Sequence, residues 1–186
     1  MVSLFALVVP LILSAVIVFI ASSIVHMVLP YHHGDLKKLP REDDIQTTLR
    51  GFDIPPGNYA LPCASNPSEM KHPAFLEKMK KGPVVLMTVS AGGSAGMGPA
   101  LVQWFIYCLI VSLFAGYIAS RALTTGAPYL AVFRFVGCSA FIAYGFSGIP
   151  SSIWYRRSWV TTIKDLFDGL LYGLLTAGTF GWLWPR

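Results

Sequence analysis

Charge is the scarcest property of this sequence. Only 12% of its 186 residues are Asp, Glu, Lys or Arg, about half the share that is usual in soluble domains. In contrast, 54% of the residues are hydrophobic and the mean hydropathy is +0.59. A soluble fold is excluded by this balance. We therefore predict an integral membrane protein, with the lipid bilayer as its first partner.

Cysteine and histidine are also few. The three cysteines, Cys63, Cys108 and Cys138, are too scattered for a disulfide framework, and two of them fall in apolar segments. Four histidines are too few for the two-iron centres of membrane desaturases. These counts exclude a disulfide-rich fold and leave at most one mononuclear metal site.

Several catalytic motifs are missing from the sequence. It contains no H-E-x-x-H of zinc proteases and no G-x-S-x-G of hydrolases. The glycine-rich stretch SAGGSAGMGP (residues 90–99) lacks the Lys-Ser/Thr of a phosphate-binding loop and is interpreted as a hinge. No charge lies in the middle of an apolar segment, which argues against a pathway for ions. An enzyme is therefore not the favoured interpretation.

Four apolar segments are long enough to cross a bilayer, which takes roughly 20 helical residues. They cover residues 2–29, 99–122, 128–148 and 166–184. The first lacks a preceding positive charge and a clear cleavage site, so we expect it to be retained rather than removed as a signal peptide. The predicted fold is a mainly α membrane protein, a bundle of four transmembrane helices.

A polar α+β domain is predicted between the first two spans, over residues 30–98, with the glycine-rich hinge at its end. Two short helices are predicted, one beginning at Pro40 and ending at Gly51 and the other beginning at Pro73 and ending at Gly82. The segments 58–61 and 84–89 are expected to pair as a two-stranded sheet. Such a small domain is marginally stable alone, so we expect it to lean on the membrane or on a partner.

The positive charges indicate an orientation. Eight of the 14 Lys and Arg residues lie between the first two spans and three more lie between the last two. Because cytoplasmic loops retain positive charge, both termini are predicted outside and the 30–98 loop in the cytoplasm, with a bacterial inner membrane as the expected location. The same asymmetry accounts for the net charge of +5 without nucleic acid as a partner.

Two spans carry small residues at every fourth position, a pattern that allows close approach of helix backbones. We favour packing within the bundle over an oligomer interface, with the two rows as possible mates. The rows are Gly169, Gly173, Ala177 and Gly181 on the last span, and Cys108, Ser112, Gly116 and Ser120 on the second.

One charge, Arg134, lies about one turn inside the third span. A charge at that depth is costly unless it pairs or extends to the headgroups, so such residues are candidates for function. The nearby start of the span favours extension to the headgroups.

The stretch HMVLPYHHGD (residues 26–35) places three histidines and a carboxylate where the first span ends. Imidazole and carboxylate ligands suit one Zn, Cu or Fe ion. The candidate ligands are His26, His32, His33 and Asp35, with His72 from the polar domain. The favoured alternative is that these residues only mark the headgroup boundary, because the spacing matches no strong metal motif.

Three functions stay open. The first is an accessory or assembly subunit that associates with another membrane protein or with itself, supported by the small-residue rows and the small polar domain. The second is a metal-binding membrane protein that uses the histidines, either as an enzyme or for binding alone. The third is a binder of lipid or another small hydrophobic molecule in a groove between helices.

Overall fold

A computed structural model describes residues 1–93 and 96–186 of the chain. The fold is mainly helical, with three helices long and apolar enough to cross a membrane and one small sheet. In chain order the elements are α1 (Leu4–Val28), α2 (Glu42–Gly51), β1 (Gly57–Leu61), α3 (Pro73–Lys81), β2 (Val85–Val89), α4 (Met97–Ala122), α5 (Tyr129–Gly145), α6 (Ile149–Tyr155) and α7 (Trp159–Trp182).

The chain divides into two compact units. The helical unit comprises residues 1–36 and 95–186, and the polar unit comprises residues 37–94. The three candidate spans, Leu4–Val28, Met97–Ala122 and Tyr129–Tyr155, all belong to the helical unit. The third is longer than the predicted segment 128–148, because the chain continues from α5 through one tight turn into α6.

The last helix begins earlier than the sequence analysis predicted. It starts at Trp159 rather than at residue 166, and it is not among the three candidate spans. The added turns carry Lys164 and Asp165, whose charge lowers hydropathy although both residues are compatible with a helix. Hydropathy thus locates the apolar part of α7 and misses its polar beginning.

Helix α1 changes geometry before it ends. Its last residues, Ile24–Val28, form a wider π-helical turn, in which the Leu29 N–H donates to the Ile24 carbonyl at 3.0 Å. Pro30 follows, and because proline has no N–H to continue the ladder, the helix stops there. Turns of this kind are frequent at functional sites. His26 lies within this one.

Helix α7 packs closely against α5. A Cβ added at Gly169 would lie 2.4 Å from the Gly145 Cα, and one at Gly173 would lie 3.2 Å from the Gly137 carbonyl oxygen. The suggestion that the α4 row is the mate of the α7 row is wrong. The mate is α5, because Gly137 and Gly145 lie two helical turns apart and leave room for the α7 backbone.

The remaining members of the two rows lie inside the helical unit. Gly181 faces the Tyr129 ring of α5, and Ala177 is fully buried. On α4, Gly116 faces Phe180 of α7, and the Ser112 hydroxyl lies 2.7 Å from that of Ser14 on α1. Cys108 and Ser120, also on α4, are fully buried.

The polar unit has its own secondary structure. Strands β1 and β2 pair antiparallel, with Gly57 opposite Val89 and Leu61 opposite Val85, which confirms the predicted two-stranded sheet. None of the described residues 37–93 is fully buried. The predicted hinge before α4 includes positions 94 and 95, which lie outside the described residues.

A candidate metal site at one end of the helical unit

Four helices contribute side chains to one polar cavity. His26 comes from the end of α1, Trp104 from the start of α4, Tyr144 from the end of α5 and Asp168 from the first half of α7. The cavity has a volume of about 320 Å³. His26 and Tyr144 lie near the ends of their helices, whereas Trp104 and Asp168 lie about two turns inside theirs.

His32 occupies the centre of a hydrogen-bonded cluster. It lies in the short turn that follows Pro30, and its side chain is 11% exposed. Its Nδ1 lies 2.6 Å from the Asp35 carboxylate and its Nε2 lies 2.8 Å from the Asp168 carboxylate. Each ring nitrogen therefore faces a carboxylate, which fixes the orientation of the ring.

His26 completes a group of three donors. Its ring stacks on that of His32, with centroids 4.2 Å apart, and its Nε2 lies 4.0 Å from the Asp168 carboxylate. One donor atom from each of His26, His32 and Asp168 lies within 4.8 Å of the other two. The wider turn at the end of α1 therefore carries one of the three donors.

Lys164 of α7 balances the charge on the other side of the cluster. Its ammonium group donates to the Asp35 carboxylate at 2.6 Å and to the Tyr31 carbonyl at 2.7 Å. The hydrogen bonds from Lys164 and then from His32 lower the pKa of Asp35. Lysine, aspartate, histidine and a second aspartate thus form a continuous chain of charged contacts.

The pKa of His32 results from opposing effects. Burial lowers the pKa, but the hydrogen bonds to Asp35 and Asp168 outweigh it, so the net pKa is raised. When the ring is protonated and no metal is bound, it can donate from both nitrogens, one to each carboxylate. A metal bound at Nε2 would replace one proton and leave the Nδ1–H to donate to Asp35.

The predicted metal ligands are only partly brought together. His26 and His32 meet, whereas His33 is exposed and lies outside the group. Asp35 contacts the Nδ1 of His32 instead of joining the three donors. His72 belongs to the polar unit, where its Nδ1 accepts from the Ala74 N–H at 3.3 Å as the cap of α3.

Asp168 is the candidate ligand that the sequence analysis did not identify. Asp165, one helical turn earlier, pairs with Arg157 at 2.6 Å, whereas Asp168 faces His32. The only sequence signal was a second carboxylate inside a largely apolar helix.

Arg134 lies elsewhere in the helical unit. Its side chain is exposed on α5, beside a shallow apolar groove between α5 and α7. This position is compatible with an interaction with lipid headgroups.

The donor set has a definite chemical preference. Two imidazoles and one carboxylate suit zinc, and the same set is used by non-haem iron sites. Bonds of about 2.1 Å place two ligands of one ion at most about 4.2 Å apart. The distances from His26 and His32 to the Asp168 carboxylate, 4.0 Å and 2.8 Å, are below this limit, and the 4.8 Å that encloses all three donors is slightly above it.

No protein-family model, curated protein or solved structure matches the chain.

Proposed function

We propose that the protein is a metal-binding membrane protein that holds one divalent transition metal ion between His26, His32 and Asp168. The observation that carries this proposal is the convergence of the three donor atoms within 4.8 Å. The residues come from the end of α1, the turn after it and α7, so the site forms only when these segments pack together. Zinc or ferrous iron fits the donors best, with copper as the third candidate.

The surroundings of His32 support the proposal. A histidine that binds a metal usually donates its other ring N–H to a carboxylate, which orients the ring and makes it a stronger ligand. Asp35 occupies that position at 2.6 Å, and Lys164 in turn holds Asp35. A purely structural histidine at a headgroup boundary does not require this second layer.

The number of protein donors indicates which kind of metal site this would be. Structural zinc sites are closed by four protein ligands, whereas catalytic ones have three and leave a position for water or substrate. The adjoining cavity, which His26 and Asp168 help to line, would supply space for such a molecule. This makes the candidate centre suited to chemistry as well as to binding.

Elemental analysis of the purified chain tests the proposal. We expect close to one equivalent of metal in the intact protein, and its loss in His32→Ala and in Asp168→Asn. His33→Ala is the matched control, because His33 is adjacent and exposed and lies outside the three donors. A chain that retains no metal after incubation with zinc, iron or copper contradicts the proposal, as does equal metal content in His32→Ala and His33→Ala.

Asp165→Asn supplies a second control. Asp165 lies one turn before Asp168 and pairs with Arg157 at 2.6 Å, so the variant removes an equal charge from the same helix. If metal binding required only local negative charge, both variants would lose it. We expect Asp165→Asn to retain the metal.

We further propose that α7 crosses the membrane as a fourth helix, with both termini outside and the 30–98 loop in the cytoplasm of a bacterial cell. Its 24 residues reach about 36 Å, against roughly 30 Å of hydrocarbon. Its close contact with α5 along the glycine row supports this.

Labelling of the exposed Cys63 by a membrane-impermeant reagent tests the orientation, with Cys138→Ser to remove the second exposed thiol. Labelling in intact cells would contradict it.

A second candidate function is association with another membrane protein through the polar unit. The specific observation is that none of its described residues 37–93 is fully buried, so the unit has little core of its own. To test this, amide hydrogen exchange is measured on the chain in native membranes and again on the purified chain. We expect the amides of α2 and α3 to exchange more slowly in the membrane if a partner covers the unit. Equal exchange, together with only a monomer after mild solubilisation, contradicts this function.

A further inference from the structure

Two tyrosines that line the polar cavity beside the metal site have hydroxyl groups without a protein partner. Tyr144 and Tyr172 line the cavity, their side chains are more than nine-tenths buried, and neither hydroxyl makes a hydrogen bond within the described chain. The thiol of Cys108 lies beside the Tyr144 hydroxyl, but a thiol is a weak partner. Leaving a hydroxyl unpaired in such a place is costly, so both are suited to meet an acceptor that is not part of the chain.

The charges around this cavity are already paired. Arg157 contacts Asp165 at 2.6 Å, and Asp168 contacts His32 at 2.8 Å. An anionic or cationic guest would disturb one of these pairs, whereas a neutral guest would not. The two tyrosines offer donors, so the complementary group is a neutral acceptor such as a carbonyl.

An apolar groove adjoins the cavity and shares two of its residues. His26 and Trp104 line both spaces, and the groove of about 370 Å³ runs between α1 and α4. Its other walls include Leu101 and two exposed methionines, Met27 and Met97. Methionine side chains adapt to irregular apolar guests, and a groove on a membrane helix is reached from the lipid phase.

The wall between the cavity and the groove is aromatic. The Trp104 ring lies 6.2 Å from that of Tyr144 and 6.3 Å from that of Tyr172, measured between centroids. The two tyrosine rings are 5.6 Å apart and nearly perpendicular. Such an arrangement suits a flat ring better than a branched or bulky headgroup.

We propose that this cavity binds the neutral, carbonyl-bearing ring of an amphipathic molecule from the bilayer, with its apolar chain in the groove between α1 and α4. The two tyrosine hydroxyls donate to the carbonyl oxygens and the aromatic wall contacts the ring. The site goes beyond the metal site, because it uses neither the His32 ring nor a bound ion. Its occupant nevertheless lies next to His26 and Asp168, at the place where a metal-bound substrate would be.

Decylubiquinone is a suitable probe, because it combines a ring with two carbonyl groups and an apolar chain. Its apparent affinity for the full chain in mild detergent is measured by native mass spectrometry, in the presence and absence of a chelator. We expect Tyr144→Phe and Tyr172→Phe each to weaken binding about 2- to 12-fold, the range for one hydrogen bond. If the probe still binds after the chelator has removed the metal, the cavity binds the probe independently of the metal site.

Tyr107→Phe is the matched control. Tyr107 belongs to the same aromatic cluster, but its hydroxyl already donates to the Ala143 carbonyl at 2.8 Å and it does not line the cavity. We expect this variant to lower the thermal stability and leave probe affinity unchanged. Tyr172→Phe is expected to do the opposite, raising the melting temperature without probe and reducing the shift that the probe causes.

Comparison of probes defines the outcomes that overturn the proposal. Dodecylbenzene retains a ring and a chain but has no carbonyl group, and palmitate replaces the ring by a charged head. Equal binding of dodecylbenzene contradicts the role of the hydroxyls, and tighter binding of palmitate contradicts a neutral head. If no probe binds, the cavity is a water-filled space between helix ends and the proposal fails.

Discussion

Replacing Gly169 by alanine tests the helix packing that builds the site. The added Cβ would lie 2.4 Å from the Gly145 Cα and 2.5 Å from the Gly145 nitrogen, whereas ordinary contacts begin near 3.4 Å. Backbone atoms cannot rotate away, so α5 and α7 must separate by about 1 Å. Overpacking of this kind costs about 1–3 kcal/mol, and the better helix propensity of alanine returns about 1 kcal/mol. We therefore expect Gly169→Ala to lower the free energy of unfolding by up to about 2 kcal/mol.

Gly178→Ala is the matched control on the same helix. Its Cβ would meet only the Tyr129 hydroxyl, at an ordinary 3.8 Å, so the propensity gain should remain and stability should rise slightly. Apparent melting temperatures from circular dichroism in one detergent, at one scan rate, compare the two variants. If Gly169→Ala proves as stable as Gly178→Ala, the close contact between α5 and α7 is refuted.

Two further predictions concern the buried polar contacts. Ser112→Ala removes the 2.7 Å contact with Ser14 between α4 and α1. We expect the free energy of unfolding to fall by about 0.6 kcal/mol, which the same melting assay detects. An unchanged melting temperature would show that the contact is energetically neutral. The metal-free chain should be most stable between about pH 4 and 6.5, the range between the ordinary pKa values of Asp and His. Above that range stability falls as pH rises through the raised pKa of His32, and below it stability falls as pH drops through the lowered pKa of Asp35. Added zinc should instead raise the melting temperature by a larger amount as pH rises, because its ligands must be deprotonated. If the melting temperature depends on pH in the same way with and without zinc, this prediction is contradicted.

The parts of the fold that depend on local sequence were predictable. Long apolar runs identify α1, α4 and α5 as candidate spans, because the bilayer fixes the length a helix needs. The run of β-branched residues after Pro83 identifies β2, and its pairing with β1 follows from the shortage of other strands. Hydropathy describes α7 less well, since its first two turns carry charge.

The site itself was only half predictable. His26 and His32 lie close together in the chain, and the end of a span keeps both near the headgroups. Asp168 follows 136 residues after His32, and its position depends on the rotation of α7 against α1. The close contact of Gly169 with Gly145 constrains the rotation of α7 against α5, and composition and spacing cannot assign this contact to a particular partner helix.

The packing and the chemistry of this site depend on the same residues. Gly169 follows Asp168 directly, and Gly145 follows Tyr144, so the point of closest approach between α5 and α7 also fixes one metal donor and one cavity hydroxyl. A shift of about 1 Å there exceeds the roughly 0.2 Å tolerance of metal-ligand distances. Gly169→Ala should therefore reduce metal content as well as stability, whereas Gly178→Ala should change neither the metal content nor the probe affinity. A Gly169→Ala chain that is destabilised but fully loaded with metal would show that the donors are positioned independently of this contact.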